Sequence, residues 1–385
     1  MKLIEFYIRE IGIPFKANFK HALASRTRTS AVLFEIITDE GVHGYGEGTP
    51  REYVTNESIR STLMTLKEIA ERLSGVELDP THNVIEQIEA LEQTLFNDGM
   101  NAPSTKCALE LSLFDAIGKT CGKPALEFLG RQKTTTIYYS GVISDESPDQ
   151  TKKILNKIKI IGFKQVKVKV GNDIEADIRK LDLVRSILGD NIQLRIDANS
   201  AWNLKEAVSK IRRYYDHGVN IVEQPIPADS RNDYPILLKE INSRVQIIID
   251  ESICTFDDAL WYIENKGATG FNLKISKHGG LLNTLKIYRL ARANGFGCQL
   301  GCHVGETSIL TAAGHIFASL AGELIAYEGS YGNFLLTYDI VDHPLQFGNH
   351  GKYDLGYLKS VPGVGIEINP SLLKEASTNQ FRLPE

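Results

Sequence analysis

The chain has 385 residues, of which 43 are Lys or Arg and 48 Asp or Glu, giving a formal charge of −5 with 42% apolar residues. A chain of this size buries a large core and divides into about two domains, and its interleaved charges leave no basic stripe for nucleic acid or anionic lipid. No stretch reaches the roughly 18 apolar residues of a membrane span, and charge enters at once in Met1-Lys2-Leu3-Ile4-Glu5, so a cytoplasmic protein is expected.

In chain order, Lys2 to Ile11 and Ala31 to Thr38 alternate apolar and polar residues. Asp39-Glu40-Gly41 supplies turn chemistry before a further strand, Val42 to Glu47, and together these predict an antiparallel sheet. From Asn56 to about Gly130 the period becomes helical, with Leu63, Leu66, Ile69 and Leu73 on one face and Ala108 to Ile117 apolar enough to be buried. Residues 1–130 thus read as an α+β capping domain.

Beyond Gly130, short apolar runs alternate with amphipathic helices. The predicted strands are Thr135 to Val142, Gln165 to Val170, Gln193 to Asp197, Ile221 to Gln224, Gln246 to Asp250, Gly270 to Ile275, Gly297 to Gly301 and Leu324 to Glu328. Eight strands with helices between them predict an α/β fold, a (β/α)8 TIM barrel over residues 131–341; no GxGxxG opens a helix in support of a doubly wound sheet. The tail, 342–385, is predicted to place a strand at Gly363 to Ile368 and to return to the cap. The five cysteines, at 107, 121, 254, 298 and 302, form no CxxC pair, and Cys298, Cys302 and His303 lack a fourth ligand for zinc.

A barrel of this kind carries its chemistry at the C-terminal ends of its strands. There stand Lys167-Val168-Lys169, Asp197-Ala198-Asn199, Glu223-Gln224-Pro225, Asp250-Glu251-Ser252 and Lys274, each one βα unit after the last. A single strand-end acid is as readily a helix cap or a surface ion pair, but that reading needs a separate excuse at each of five successive strands. Three carboxylates gathered from adjacent strands repel unless a cation joins them, and an all-oxygen set suits Mg²⁺, or Mn²⁺ in its place. Asp197, Glu223 and Asp250 are the candidate ligands. Lys167 and Lys169, two apart on a strand, face the same side, with Lys274 across the mouth. Lys169 is the candidate base and Lys167 the cation beside a substrate carboxylate.

These residues resemble the enolase superfamily, and the runs Phe163 to Gly171, Asp197-Ala198-Asn199, Glu223-Gln224-Pro225, Asp250-Glu251-Ser252 and Asn272-Leu273-Lys274 through Gly279-Gly280 resemble its muconate-lactonizing-enzyme subgroup. The resemblance implies a metal-assisted removal of the proton α to a carboxylate through an ene-diolate, on a small-molecule substrate, in a homo-oligomer. It leaves three readings open. One is an isomerase (epimerase, racemase or cycloisomerase). The second is a lyase, either a dehydratase of a hydroxy or hydroxyproline-like acid or o-succinylbenzoate-synthase-like, and the third a non-catalytic metal-binding protein.

Discrimination falls to strands seven and eight and to two cap loops, Phe15 to Arg28 and Thr49 to Asn56, expected to close as a lid. Dipeptide epimerases carry Asp-x-Asp on strand eight to hold an ammonium group. Here Ala326-Tyr327-Glu328-Gly329-Ser330 offers Glu328 alone, which makes a dipeptide less expected. Strand seven ends in Cys302-His303-Val304-Gly305-Glu306. The mandelate-racemase subgroup pairs a strand-seven histidine with a strand-six aspartate, but the strand-six residue here is Lys274. His303, Glu306, Asn199, Glu251 and Arg26, with Arg28 beside it, are candidates for substrate contact or support.

Overall fold

The structure is a computed structural model describing residues 1–21, 24–96, 100–144, 147–241 and 245–384. Strand β1 (Leu3–Ile11) buries Phe6 and Ile8 by alternation, and Leu3 and Ile11 on the far side of register shifts at Leu3/Glu5 and Glu10/Ile11. After a hairpin of β2 (Pro14–His21) and β3 (Ala24–Arg28) come β4 (Ala31–Thr38) and β5 (His43–Gly48). β1 and β5 flank β4 in an antiparallel sheet. Helix Ile59–Leu73, opened by a Ser58–Ser61 capping box, lays Leu63, Leu66, Ile69 and Leu73 on it.

Helix Pro103–Thr120 is buried on nearly every face because β5 covers one side at very short range. Gly44, Gly46 and Gly48 make that approach possible: a Cβ on Gly46 would stand 1.9 Å from the carbonyl oxygen of Ala108.

Two short strands, β6 (Thr136–Tyr138) and β7 (Gly141–Ile143), replace the single predicted first barrel strand. The chain changes partner between them. Tyr139 N donates to Gly351 O, whereas Ser140 N donates to Tyr327 O. The barrel continues with β8 (Gln165–Lys169), β9 (Gln193–Asp197), β10 (Ile221–Glu223), β11 (Gln246–Ile249), β12 (Gly270–Leu273) and β13 (Gly297–Leu300), all parallel and in sequential order from β7 to β13. Intervening helices begin at side-chain caps supplied by Ser147, Asp173, Asn203, Thr255 and Thr307.

The predicted eighth strand, Leu324 to Glu328, is not a regular strand but still closes the ring. Ile325 N donates to Cys298 O, Leu300 N to Ala326 O and Glu328 N to Leu300 O, and Ser140 completes the other edge.

The tail pairs β14 (Lys352–Asp354) with β6, then adds β15 (Ser377–Leu383) antiparallel to β1. Gly363 to Ile368 is not a strand, since Gly363 and Gly365 hold φ of 68° and 89°, outside the extended region. β15 carries little sequence signal because it is a largely exposed edge strand with little apolar patterning.

Candidate active site

The strand ends deliver a tight lattice of acids and bases. Lys167 Nζ stands 3.1 Å from Glu223 Oε1, 3.5 Å from Asp197 Oδ2 and 2.8 Å from Glu328 Oε2. Lys169 Nζ donates to Asn199 Oδ1 at 2.7 Å, with Asp197 Oδ2 at 3.4 Å. Lys274 Nζ meets Asp250 Oδ2 at 2.6 Å. All nine strand-end residues predicted on strands two to six and eight therefore come together: the three lysines, the three candidate ligands, Asn199, Glu251 and Glu328.

The backbone at these ends is bent to purpose. Asn199 and Gln224 hold positive φ, 42° and 37°, just past the strands. Gln224 spends its buried amide across the sheet, with Oε1 accepting from Asp250 N at 2.9 Å and Nε2 donating to Ile226 O, Tyr234 Oη and Ser252 Oγ. Asn199 bridges in the same way: Nδ2 donates to Glu251 Oε1 at 3.0 Å, which turns its oxygen toward Lys169.

Four buried contributors were missed in the sequence. Lys277, fully buried, donates to Asp250 Oδ1 (2.8 Å), Asp250 O (2.6 Å) and Asn272 O (3.0 Å). Arg195 binds Glu328 Oε1 (2.8 Å), Gln299 Oε1 and Ser140 Oγ, and Gln299 and Asn272 both donate to Glu223. The signal was present: Arg195, Asn272 and Gln299 are polar residues inside apolar strand runs, each on the inward face.

Electrostatics follow from burial and crowding. Burial, reinforced by Asp197, Glu328 and Asp250, pushes Glu223 up to about 7. Glu251 rises to about 7 through burial and its neighbours Asp250 and Asp197. Lys274 and Lys277 together hold Asp250 well below the ordinary carboxylate range against its burial.

Among the described residues no three acid, His or Cys side chains converge at metal-ligating distance as they stand, because ammonium groups cover the carboxylates. The donor set nonetheless fits a hard divalent cation. It is all oxygen, it is buried, and Glu223 is driven toward protonation partly by the two carboxylates beside it.

At the rim, His303 places Nδ1 2.9 Å from Thr49 Oγ1, while its buried Nε2 has no partner; burial holds the ring well below the usual histidine range, hence neutral. Glu306 Oε1 accepts from His303 N at 2.5 Å, and burial raises this carboxyl to about 8.

The expected lid needs correcting at Thr49 to Asn56. Thr49 N donates to Ser276 Oγ, and the buried Arg51 guanidinium donates to Ser30 O, Pro50 O and Val304 O, so this loop is bolted to the barrel. The other loop is the β2–β3 hairpin, two residues of which (22 and 23) lie outside the described set. Burial, and after it the nearby Arg26 of this hairpin, depress Arg51, while Arg28 turns away to Gly12 O.

Residues 3–130 match the family described as mandelate racemase / muconate lactonizing enzyme, N-terminal domain, and residues 152–372 match the enolase C-terminal domain-like family. The chain is 32% identical over 323 residues to a hydrophobic dipeptide epimerase of Enterococcus faecalis, covering 83% of this chain and 88% of that protein. A crystal structure of N-succinyl Arg/Lys racemase from Bacillus cereus superposes over the whole of both chains, with a TM-score of 0.89 at 26% identity. A dipeptide epimerase of Enterococcus faecalis V583, complexed with Mg and L-Leu-L-Tyr, superposes with a TM-score of 0.84 at 28% identity, covering 95% of this chain and all of that one.

Proposed function

The chain belongs to the mandelate racemase / muconate lactonizing enzyme family of the enolase superfamily, and on that premise we propose that it is an isomerase moving the α-proton of a carboxylate substrate between Lys169 and Lys274. The supporting observation is the placement of Lys169 and Lys274 on opposite sides of the barrel mouth, each against a candidate metal ligand. Lys169, at the end of β8, donates to Asn199 Oδ1 at 2.7 Å with Asp197 Oδ2 at 3.4 Å, and Lys274, just past β12, meets Asp250 Oδ2 at 2.6 Å, so each lysine stands beside one of the candidate ligands. Side chains on opposite walls of one mouth can reach the two faces of an α-carbon held between them, one as base and the other as acid.

Lys169 takes the proton from one face of the α-carbon. Lys274, four positions away in a ring of eight, returns one from the opposite face with inversion. Lys167 remains charged beside the substrate carboxylate, where negative charge accumulates as the proton leaves. Asp197, Glu223 and Asp250 would hold Mg²⁺, with Mn²⁺ a substitute, and the ion when bound supplies Lewis-acid stabilisation of that same charge.

Proton NMR in D₂O with Mg²⁺ tests the assignment. Lys274→Ala should stop inversion while retaining α-proton exchange in the stereoisomer whose proton faces Lys169, and Lys169→Ala should do the converse. Full turnover by Lys169→Ala would overturn the choice of base. A product lacking the elements of water would instead identify a lyase.

A further inference from the structure

The two lysines assigned to opposite faces of the substrate are held by separate devices. Lys274 is fixed by its own turn: its N–H meets His278 Nδ1 at 3.2 Å, and its carbonyl accepts from His278 N at 3.1 Å. Lys169 is the last residue of β8, and the chain beyond it, Val170 to Asp173, is an irregular connection to helix Ile174–Leu188. A lysine side chain is long and jointed, so where its ammonium stands depends on how firmly the backbone beneath it is held.

Side chains take the backbone groups of that connection one after another. Lys180 Nζ donates to Lys169 O at 3.0 Å. Asp177 Oδ2 accepts from Gly171 N and from Tyr214 Oη, each at 2.9 Å. Gly171 O receives two donors, Trp202 Nε1 at 2.8 Å and Lys210 Nζ at 3.1 Å, and Lys210 reaches on to Asn172 O at 2.9 Å. Trp202 has the widest reach of these. It is 1% exposed, its ring stacks on Tyr214 at 5.8 Å, and it stands in the turn after β9, just past Asn199. Its own N–H donates to Pro225 O at 3.1 Å, just past Glu223. One residue thereby ties the end of β8 to the ends of β9 and β10, which carry Asp197, Asn199 and Glu223. A buried indole N–H requires an acceptor, and the one it has is a carbonyl two residues from the candidate base.

We propose that Trp202, with Lys210, is a positioning residue for Lys169: the two donors on Gly171 O hold the backbone that sets where the Lys169 ammonium stands against Asn199, and Lys274 is indifferent to them. This rests on the two-lysine reading above and adds to it a pair of residues that act only through the backbone.

Trp202→Phe keeps a ring and removes the N–H; Lys210→Met, at a half-buried position, removes the second donor and carries the same prediction where Trp202→Phe does not fold. With the intact enzyme and Mg²⁺ in D₂O, α-proton exchange is followed separately in the L and D forms of N-acetyl amino acids and alanyl dipeptides, used as probes. Each variant should slow exchange about tenfold in the stereoisomer whose proton faces Lys169, in kcat rather than KM, and the double variant about 100-fold. Exchange in the opposite stereoisomer should stay at the wild-type rate. Equal losses in both stereoisomers, or no loss in either, would overturn the proposal and leave α-proton transfer standing. Crystal structures of the wild type and of Trp202→Phe give a readout that needs no substrate. The 2.7 Å contact of Lys169 Nζ with Asn199 Oδ1 should open beyond about 3.5 Å, while Lys274 Nζ keeps its 2.6 Å contact with Asp250 Oδ2. An unmoved Lys169 would overturn the proposal. A wild-type enzyme that exchanges no probe would count against the α-proton reading, with the two structures still deciding what holds Lys169.

Discussion

Lys277 has no catalytic partner to advertise it, yet it fastens the end of β11 to the end of β12 through Asp250 and Asn272. Removing its charge leaves a buried carboxylate short of a donor. Lys277→Met should therefore lower stability by about 3 kcal/mol, read as a depressed Tm. A pH effect arises elsewhere, at His315, which is buried with Nδ1 2.8 Å from Tyr357 Oη and is pushed down to about 3 by burial alone. Its folded pKa lies below the unfolded value near 6.5, so its contribution is complete above pH 6.5 and fades as pH falls from there toward 3, by up to about 1.4 kcal/mol per unit. Tm measured from pH 7 to 5 should fall less in His315→Gln than in the wild type. The lysines and strand-end acids were legible because each closes an apolar run at a regular interval. Lys277 was not, because three residues beyond Lys274 in a turn carries no period, and its target is largely backbone.

At the scale of elements, β5 and helix Pro103–Thr120 are joined through a stripe of glycines, and the clash is with backbone, which no side-chain rotation relieves. Gly46→Ala should cost at least about 2 kcal/mol in chemical denaturation, more than an alanine at the open Gly41 turn, where nothing lies within 4 Å of the added carbon. The strands β8 to β13 were legible from their apolar runs because both faces are covered. The eighth was overread. Its residues are as apolar as a strand's, but the segment has to reach β13 on one side and Ser140 on the other within a few residues, and continuous pairing gives way. β15 was underread for the opposite reason: its hydrogen bonds to β1 are regular while its side chains mostly face water.

Across the whole molecule, the cap supplies the capping groups of barrel helices. Glu47 on β5 accepts from Thr307 N, Thr307 Oγ1 and Leu310 N at the start of helix Ser308–Ala321, and Glu110 accepts from Leu281 N and Leu282 N at the start of helix Leu281–Ala293. The two domains cannot separate without orphaning buried donors in the barrel and buried carboxylates in the cap, so calorimetry should show one unfolding transition for cap and barrel together. Glu110→Ala should lower Tm by an amount equivalent to about 2 kcal/mol. This capping across the domain boundary was illegible in the sequence, since an acid more than 170 residues from the helix it caps leaves no local pattern. The position of β15 beside β1 has a consequence in time. A chain emerging from the ribosome delivers β1, β4 and β5 first, then every strand of the barrel, and only afterwards the strand that completes the cap sheet. Until residues 377–383 have emerged, β1 is an open edge, so the nascent cap must be guarded from pairing with a neighbouring chain for the whole time its own barrel is being made.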